Sequence, residues 1–161
     1  MIVLHLLQRA VLIEPTLAVS PWFEARRTEY YDRLFAVSTV GDWNAYVHFF
    51  ARGLAASATE THERMLALVE VQARLKDRVR ESALRADTAH LLVDFAVSRV
   101  SFTVRAVERS LPIAYARANT LVRQLVELGI LAPLPDLSAS TRRFYAPDAY
   151  DVLVRPPGPG R

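Results

Sequence analysis

The chain has 161 residues, 52% hydrophobic and 23% charged, which suffices for one large or two small domains with buried cores and excludes a disordered chain. It contains no cysteine, which removes disulfides, thiolate catalysis and cysteine-ligated zinc, and its four histidines (His5, His48, His62, His90) lie too far apart to form a metal-ligand pair. Residues 1–98 hold 11 Lys+Arg against 12 Asp+Glu while residues 99–161 hold 9 Arg against 5 acids, so the basic surplus sits in the last third and suggests a polyanion as partner.

No run of 18 uncharged apolar residues occurs, so no membrane span is expected. The most apolar stretch, Met1 to Ile13, carries His5, Gln8 and Arg9. It also lacks the positive flank and small-residue cleavage site of a signal peptide, and a cytoplasmic location is expected.

Ile2 to Leu12, apolar nearly all round, is expected to form a helix buried on most sides and ended by Glu14 and Pro15. Ser20 followed by Pro21 predicts an N-cap and first helical residue, opening a helix through Glu24, Tyr30, Tyr31 and Leu34 that stops near Gly41. Asp42 caps a second, long helical run. Trp43, Tyr46, Val47, Phe50 and Leu54 recur along it every three or four residues, continued by Met65, Leu68, Gln72, Leu75 and Val79. This stripe fits a core face or the seam of a homodimer.

Ala86 to Ser98 predicts another amphipathic helix, and Val100 to Phe102 a short strand. Thr103 caps a helix through Leu111 that Pro112 ends. Ile113 to Leu128 follows, with Ala118, Leu121, Val122, Leu125 and Leu128 on one face and Gly129 as its terminating glycine. Ile130 and Leu131 begin a strand, Pro133 to Ser140 is a turn-rich tip, and Arg142 to Ala146 returns as the second strand. Asp148 to Val154 reads as a closing helix, and Arg155 to Arg161 as a Pro/Gly tail with no reason to order. The order from Ala86 to Ala146 is that of a winged helix-turn-helix: three helices and a two-stranded wing. In that arrangement Arg117, Thr120, Arg123 and Gln124 face away from the apolar side of the third helix, where a DNA-reading helix presents its groups, and Arg142 and Arg143 reach phosphates from the wing. The alternative is a solvated polar face. Phe144 and Tyr145 read as wing packing.

Three strings occur in order that resemble segments of bacterial Fic family (Fic/Doc) proteins. SPWFEARRTEYYDRL (Ser20 to Leu34) resembles SxYFExNRxxYYxxL, the segment after the catalytic motif, and GDWNAYVHFFARGL (Gly41 to Leu54) resembles GDWxxWxxFFLxGL. YARANTLVRQLVELGIL (Tyr115 to Leu131) is similar to the winged-helix segment often appended to such proteins. The resemblance spans nearly all of Ile2 to Leu153. It implies that full-length relatives transfer AMP from ATP to a protein hydroxyl, using magnesium and the signature HPFxxGNGRxxR. No such string occurs here, so the chain is expected to be non-catalytic, with no cofactor or metal. Val11 to Phe23, VLIEPTLAVSPWF, matches the family's LLxxPxLxLSxYF, which places Met1 just past where the signature would end; an internal start, a damaged gene and a deliberate fragment all fit. Arg26 stands where the family has asparagine, and Ala114 and Ala116 replace the commoner serine and proline before the third helix, a loss of a cap worth about 1 kcal/mol.

His5 lies past the position of the signature and reads as a packing or solvent-facing residue. His48, His62 and His90 have no partner at triad spacing. Tyr30 and Tyr31 could line a nucleotide or target pocket in an intact Fic fold, though adjacent tyrosines more often place one ring in the core and one at the surface. The expected architecture is mostly α. It comprises helices of a Fic-type fold with a long connecting helix over residues 1–82, a winged helix over residues 83–154, and a tail over residues 155–161. The function expected is a non-catalytic DNA-binding module, with two alternatives: a small transcriptional regulator dimerising through Trp43 to Val79, and a protein-interaction module.

Overall fold

The computed structural model describes Arg9 and residues 17–84, 87–135 and 142–154. The expected helix at Ile2–Leu12 (Arg9 apart), the turn-rich tip past residue 135 and the tail lie outside these residues. The fold is mostly α, and the described residues form two compact units, one up to Met65 and the other from Leu66 to Val154. Among the described residues no helix is long and apolar enough to cross a membrane.

The N-terminal unit begins with α1 (Ser20–Glu24) and α2 (Arg27–Val40). Sequence predicts one helix here, capped by Ser20. Instead Val19 occupies the cap without a side-chain bond, and the chain leaves helical geometry at Arg26 (φ −122°, ψ 33°). The interruption turns the ring of Trp22 beneath the Arg26 guanidinium, 4.3 Å from the ring centre, and against Phe49. Gly41 ends α2 in the left-handed region (φ 72°), as a terminal glycine should. Asp42 then starts α3 (Trp43–Glu81), its Oδ1 accepting the Ala45 N–H at 3.1 Å. The core of this unit is aromatic. Trp22 and Phe23 pack on Phe49, Phe50 and Tyr30, and Gly53 lets them approach: a Cβ there would stand 2.6 Å from the Phe23 ring. Burial first, and Tyr30 beside it second, push the Tyr46 phenol above its ordinary pKa.

The C-terminal unit holds the last turns of α3, then α4 (Asp87–Val97), β1 (Phe102–Thr103), α5 (Val104–Ser110), α6 (Tyr115–Glu127), β2 (Ala132–Pro133), β3 (Arg143–Tyr145) and α7 (Pro147–Val154). Thr103 caps α5 as expected, its Oγ1 accepting the Ala106 N–H at 3.2 Å. Ala114 precedes α6 without a side-chain cap. Gly129 (φ 66°) closes α6: its N–H donates to the Val126 carbonyl and that of Ile130 to Leu125, each at 2.9 Å.

Helices α4, α5 and α6 with the β2–β3 wing make the winged helix. The sheet has three strands in the order β1-β3-β2, all antiparallel, because the short strand expected before α5 joins the two of the wing. Phe102 of β1 pairs with Phe144 of β3, so the strand before α5 is clamped to the wing. Ile130 and Leu131 are core residues that precede β2 rather than begin it. Pro133, which has no N–H to donate, sits in β2 at the sheet edge.

One core joins Val71, Leu75 and Val79 of α3 to Leu92, Val107, Leu121, Leu125 and Phe144. The long helix therefore does not end its role at a linker near residue 82; its last turns belong to the C-terminal unit, and Leu75 and Val79 are unavailable to a dimer seam.

Candidate nucleic-acid interface

Helix α6 turns about 100° per residue, which separates its thirteen residues into distinct faces. Ala118, Leu121, Val122 and Leu125 are fully buried. The ridge opposite them is Ala116, Thr120, Arg123 and Glu127, all exposed. Tyr115, Asn119 and Val126 lie between ridge and core on the flank towards the wing, and Arg117 and Gln124 on the other flank.

Between that first flank and the wing lies a concavity of about 640 Å³. Val104, Val126, Pro133 and Phe144 give it an apolar floor, while Arg105 of α5, Arg123 of α6 and Arg142 beside β3 bring three guanidinium groups to its walls. Tyr115, Asn119 and Glu127 complete the α6 side. The Arg105 guanidinium lies 4.8 Å from the centre of the Tyr115 ring and donates to Glu108 Oε2 at 3.4 Å, which fixes its approach.

Of the six residues expected at a DNA surface, the structure brings together Arg123 and Arg142. Arg143, one residue along, points to the other face of the sheet, where its guanidinium donates to Ser101 Oγ at 3.1 and 2.7 Å. Thr120 is on the ridge but donates its hydroxyl to the Ala116 carbonyl at 3.0 Å. Arg117 is exposed on the far flank, and Gln124 beside it is half-buried with its Oε1 enclosed and unpartnered.

Sequence reasoning missed Arg105, Tyr115, Asn119 and Glu127. Three of these were accessible from spacing alone, because Tyr115, Asn119, Arg123 and Glu127 recur every fourth residue and so form one row on a helix. Arg105 was not, since its position depends on how the short α5 crosses α6.

Elsewhere the residues weighed for chemistry are scattered. His48 and His62 are exposed, and His90 has an enclosed Nδ1 without a hydrogen-bond partner. His5 lies outside the described residues. Among the described residues no group of three or more His, Asp or Glu side chains could hold a metal ion. Tyr30 and Tyr31 line a shallow hollow of about 580 Å³ in the N-terminal unit with Phe23, Phe50 and Arg27. Tyr30 packs on Phe23, while Tyr31 is 54% exposed. Compared with known proteins, the chain matches no family model and no curated protein.

Proposed function

We propose that the C-terminal unit binds duplex DNA, with one phosphodiester strand seated between α6 and the wing and no chemistry performed on it. The observation that carries this reading is the convergence of Arg105, Arg123 and Arg142 on a single concavity. Scattered over a surface, the +4 surplus of residues 99–161 would mean little. Three guanidinium groups on one wall-and-floor geometry match a row of phosphates. The chain's resemblance to Fic proteins bears on the same reading. The segments it resembles are those beside and after the catalytic motif, and the signature that would supply base, metal ligand and phosphate cradle is absent from these residues.

Salt titration of the intact chain on a random duplex tests it. If each of the three arginines neutralises one phosphate, the logarithm of the binding constant should fall against the logarithm of salt with a slope of about −3. Arg105→Ala, Arg123→Ala or Arg142→Ala should each shrink that slope by about one unit. Arg143→Ala, on the other face of the sheet, should change it little. Binding weaker than roughly 10⁻⁴ M at moderate salt would sink the proposal and leave a protein-interaction module as the better description.

A second reading concerns the N-terminal unit, where Trp43 (62% exposed), Val47 (58%) and Met65 (47%) keep one apolar stripe of α3 in solvent. A second copy of the chain meeting that stripe isologously would remove it from water. Sedimentation equilibrium should then report a dimer that Trp43→Asp and Met65→Asp each convert to monomer. A wild-type chain that stays monomeric at every concentration reached contradicts it.

A further inference from the structure

Resting on the DNA reading above, we propose that Asn119 and Glu127 select the sequence bound, Asn119 pairing with an adenine edge and Glu127 accepting from the amino group of a cytosine. Both line the concavity that holds the three arginines, Asn119 from the flank of α6 towards the wing and Glu127 from the exposed ridge beside it. Neither can neutralise a phosphate. Glu127 does the reverse: its carboxylate repels the backbone that Arg105, Arg123 and Arg142 attract, and among the described residues it forms no ion pair with any of them. An acid kept on such a wall lowers affinity for DNA in general. Its cost is offset only where a donor meets it, and in the major groove that donor is the cytosine N4 amino group or the adenine N6. A bare carboxylate has no donor of its own to satisfy adenine N7, which favours cytosine. Asn119 carries both a donor and an acceptor and can satisfy adenine N6 and N7 together. It is half-buried, so its side chain is restricted to the concavity side of the helix.

The spacing makes the inference specific. Eight residues of α-helix separate the two positions, about 12 Å along the axis. If α6 follows the groove, that distance spans between three and four base-pair steps of about 3.4 Å. The preferred site is therefore an adenine and a cytosine set three to four steps apart. Arg123, midway between them, grips the intervening backbone.

The test uses the intact chain to enrich sequences from a randomised duplex pool, followed by competition binding of wild type, Asn119→Ala, Glu127→Ala and, as a control for charge alone, Asp151→Asn on the exposed side of α7. Wild type should enrich an adenine and a cytosine at that separation. Asn119→Ala should lose discrimination at the adenine only, by about 5- to 150-fold. Glu127→Ala should lose it at the cytosine and bind random duplex more tightly than wild type, by more than Asp151→Asn does. Enrichment of a motif that neither variant alters assigns readout to other residues and overturns the inference. So does binding without enrichment, although the DNA reading itself then survives. Failure to bind any duplex removes both.

Discussion

Leu75→Ala should destabilise the C-terminal unit by about 2–5 kcal/mol, even though residue 75 lies on a helix that sequence alone assigns to the N-terminal segment. Leu75 is 1% exposed, and Val71 and Val79, one turn to either side, are buried with it in the core that also contains Leu92, Leu121 and Leu125. Truncation there leaves a cavity inside that buried core, which is the costly case. Polar contacts fix the same turns in place. The Arg78 guanidinium donates to the Leu128 carbonyl at 2.5 Å, where it serves an otherwise unsatisfied end of α6, and Asp94 of α4 accepts from Gln72 at 2.6 Å and pairs with Lys76 at 2.6 Å. Leu66→Ala, at a position 52% exposed, should change stability by less than about 0.5 kcal/mol. Urea unfolding followed by helical circular dichroism distinguishes the two. Equal effects would mean that the last turns of α3 do not belong to this core. By the same logic a fragment starting at residue 83 should fail to fold, whereas one starting at residue 66 should fold.

That misassignment shows what the sequence could and could not convey. Local signals were legible because they are local. Asp42, Thr103, Gly41 and Gly129 each act within a few residues through one hydrogen bond or one backbone angle, and each sits where its chemistry predicts. The apolar stripe of α3 was legible too, but periodicity gives a face and not the core that the face enters. One stripe continues from Trp43 to Val79 in sequence, yet Trp43 and Val47 remain in solvent while Leu75 and Val79 are among the most buried of the described residues. The strand before α5 was legible at Val100 to Phe102, but its partner was not: Phe102 and Thr103 satisfy their ladder by pairing with β3, some forty residues later, and nothing local to them names that partner. At the interface, treating every residue opposite the apolar face as equivalent grouped Arg117 and Gln124 with Arg123. The wing covers only one flank of α6, and that asymmetry brings Asn119 and Tyr115 into the concavity while leaving Arg117 outside it.

The second large effect is expected at Phe49, where truncation to alanine should cost the N-terminal unit about 3–5 kcal/mol. Phe49 is 1% exposed, and its ring centre lies 5.2 Å from that of Trp22, 5.8 Å from Phe23 and 6.5 Å from Tyr30. Edge-on and tilted aromatic pairs at these separations add roughly 0.5–1.5 kcal/mol each beyond the area they bury. These residues come from two strings of the sequence, Ser20 to Leu34 and Gly41 to Leu54. The strings meet in space: Trp22, Phe23 and Tyr30 of the first close on Phe49, Phe50 and Gly53 of the second. Their aromatic pattern is therefore a packing requirement, since the rings must fit against a helix that carries glycine at the point of closest approach. No proton transfer or phosphate contact is needed to explain them. Both tryptophans of the chain, Trp22 and Trp43, lie in this unit, so their fluorescence reports its unfolding without contribution from the winged helix. Phe49→Ala should lower the urea midpoint of the fluorescence transition and redden the folded spectrum as Trp22 loses its cover. Phe49→Leu should fall between alanine and wild type, because it restores most of the volume but none of the ring geometry. An unchanged midpoint in Phe49→Ala would show that the aromatic cluster is not what holds α1 and α2 on α3, and the packing account of the two strings would go with it.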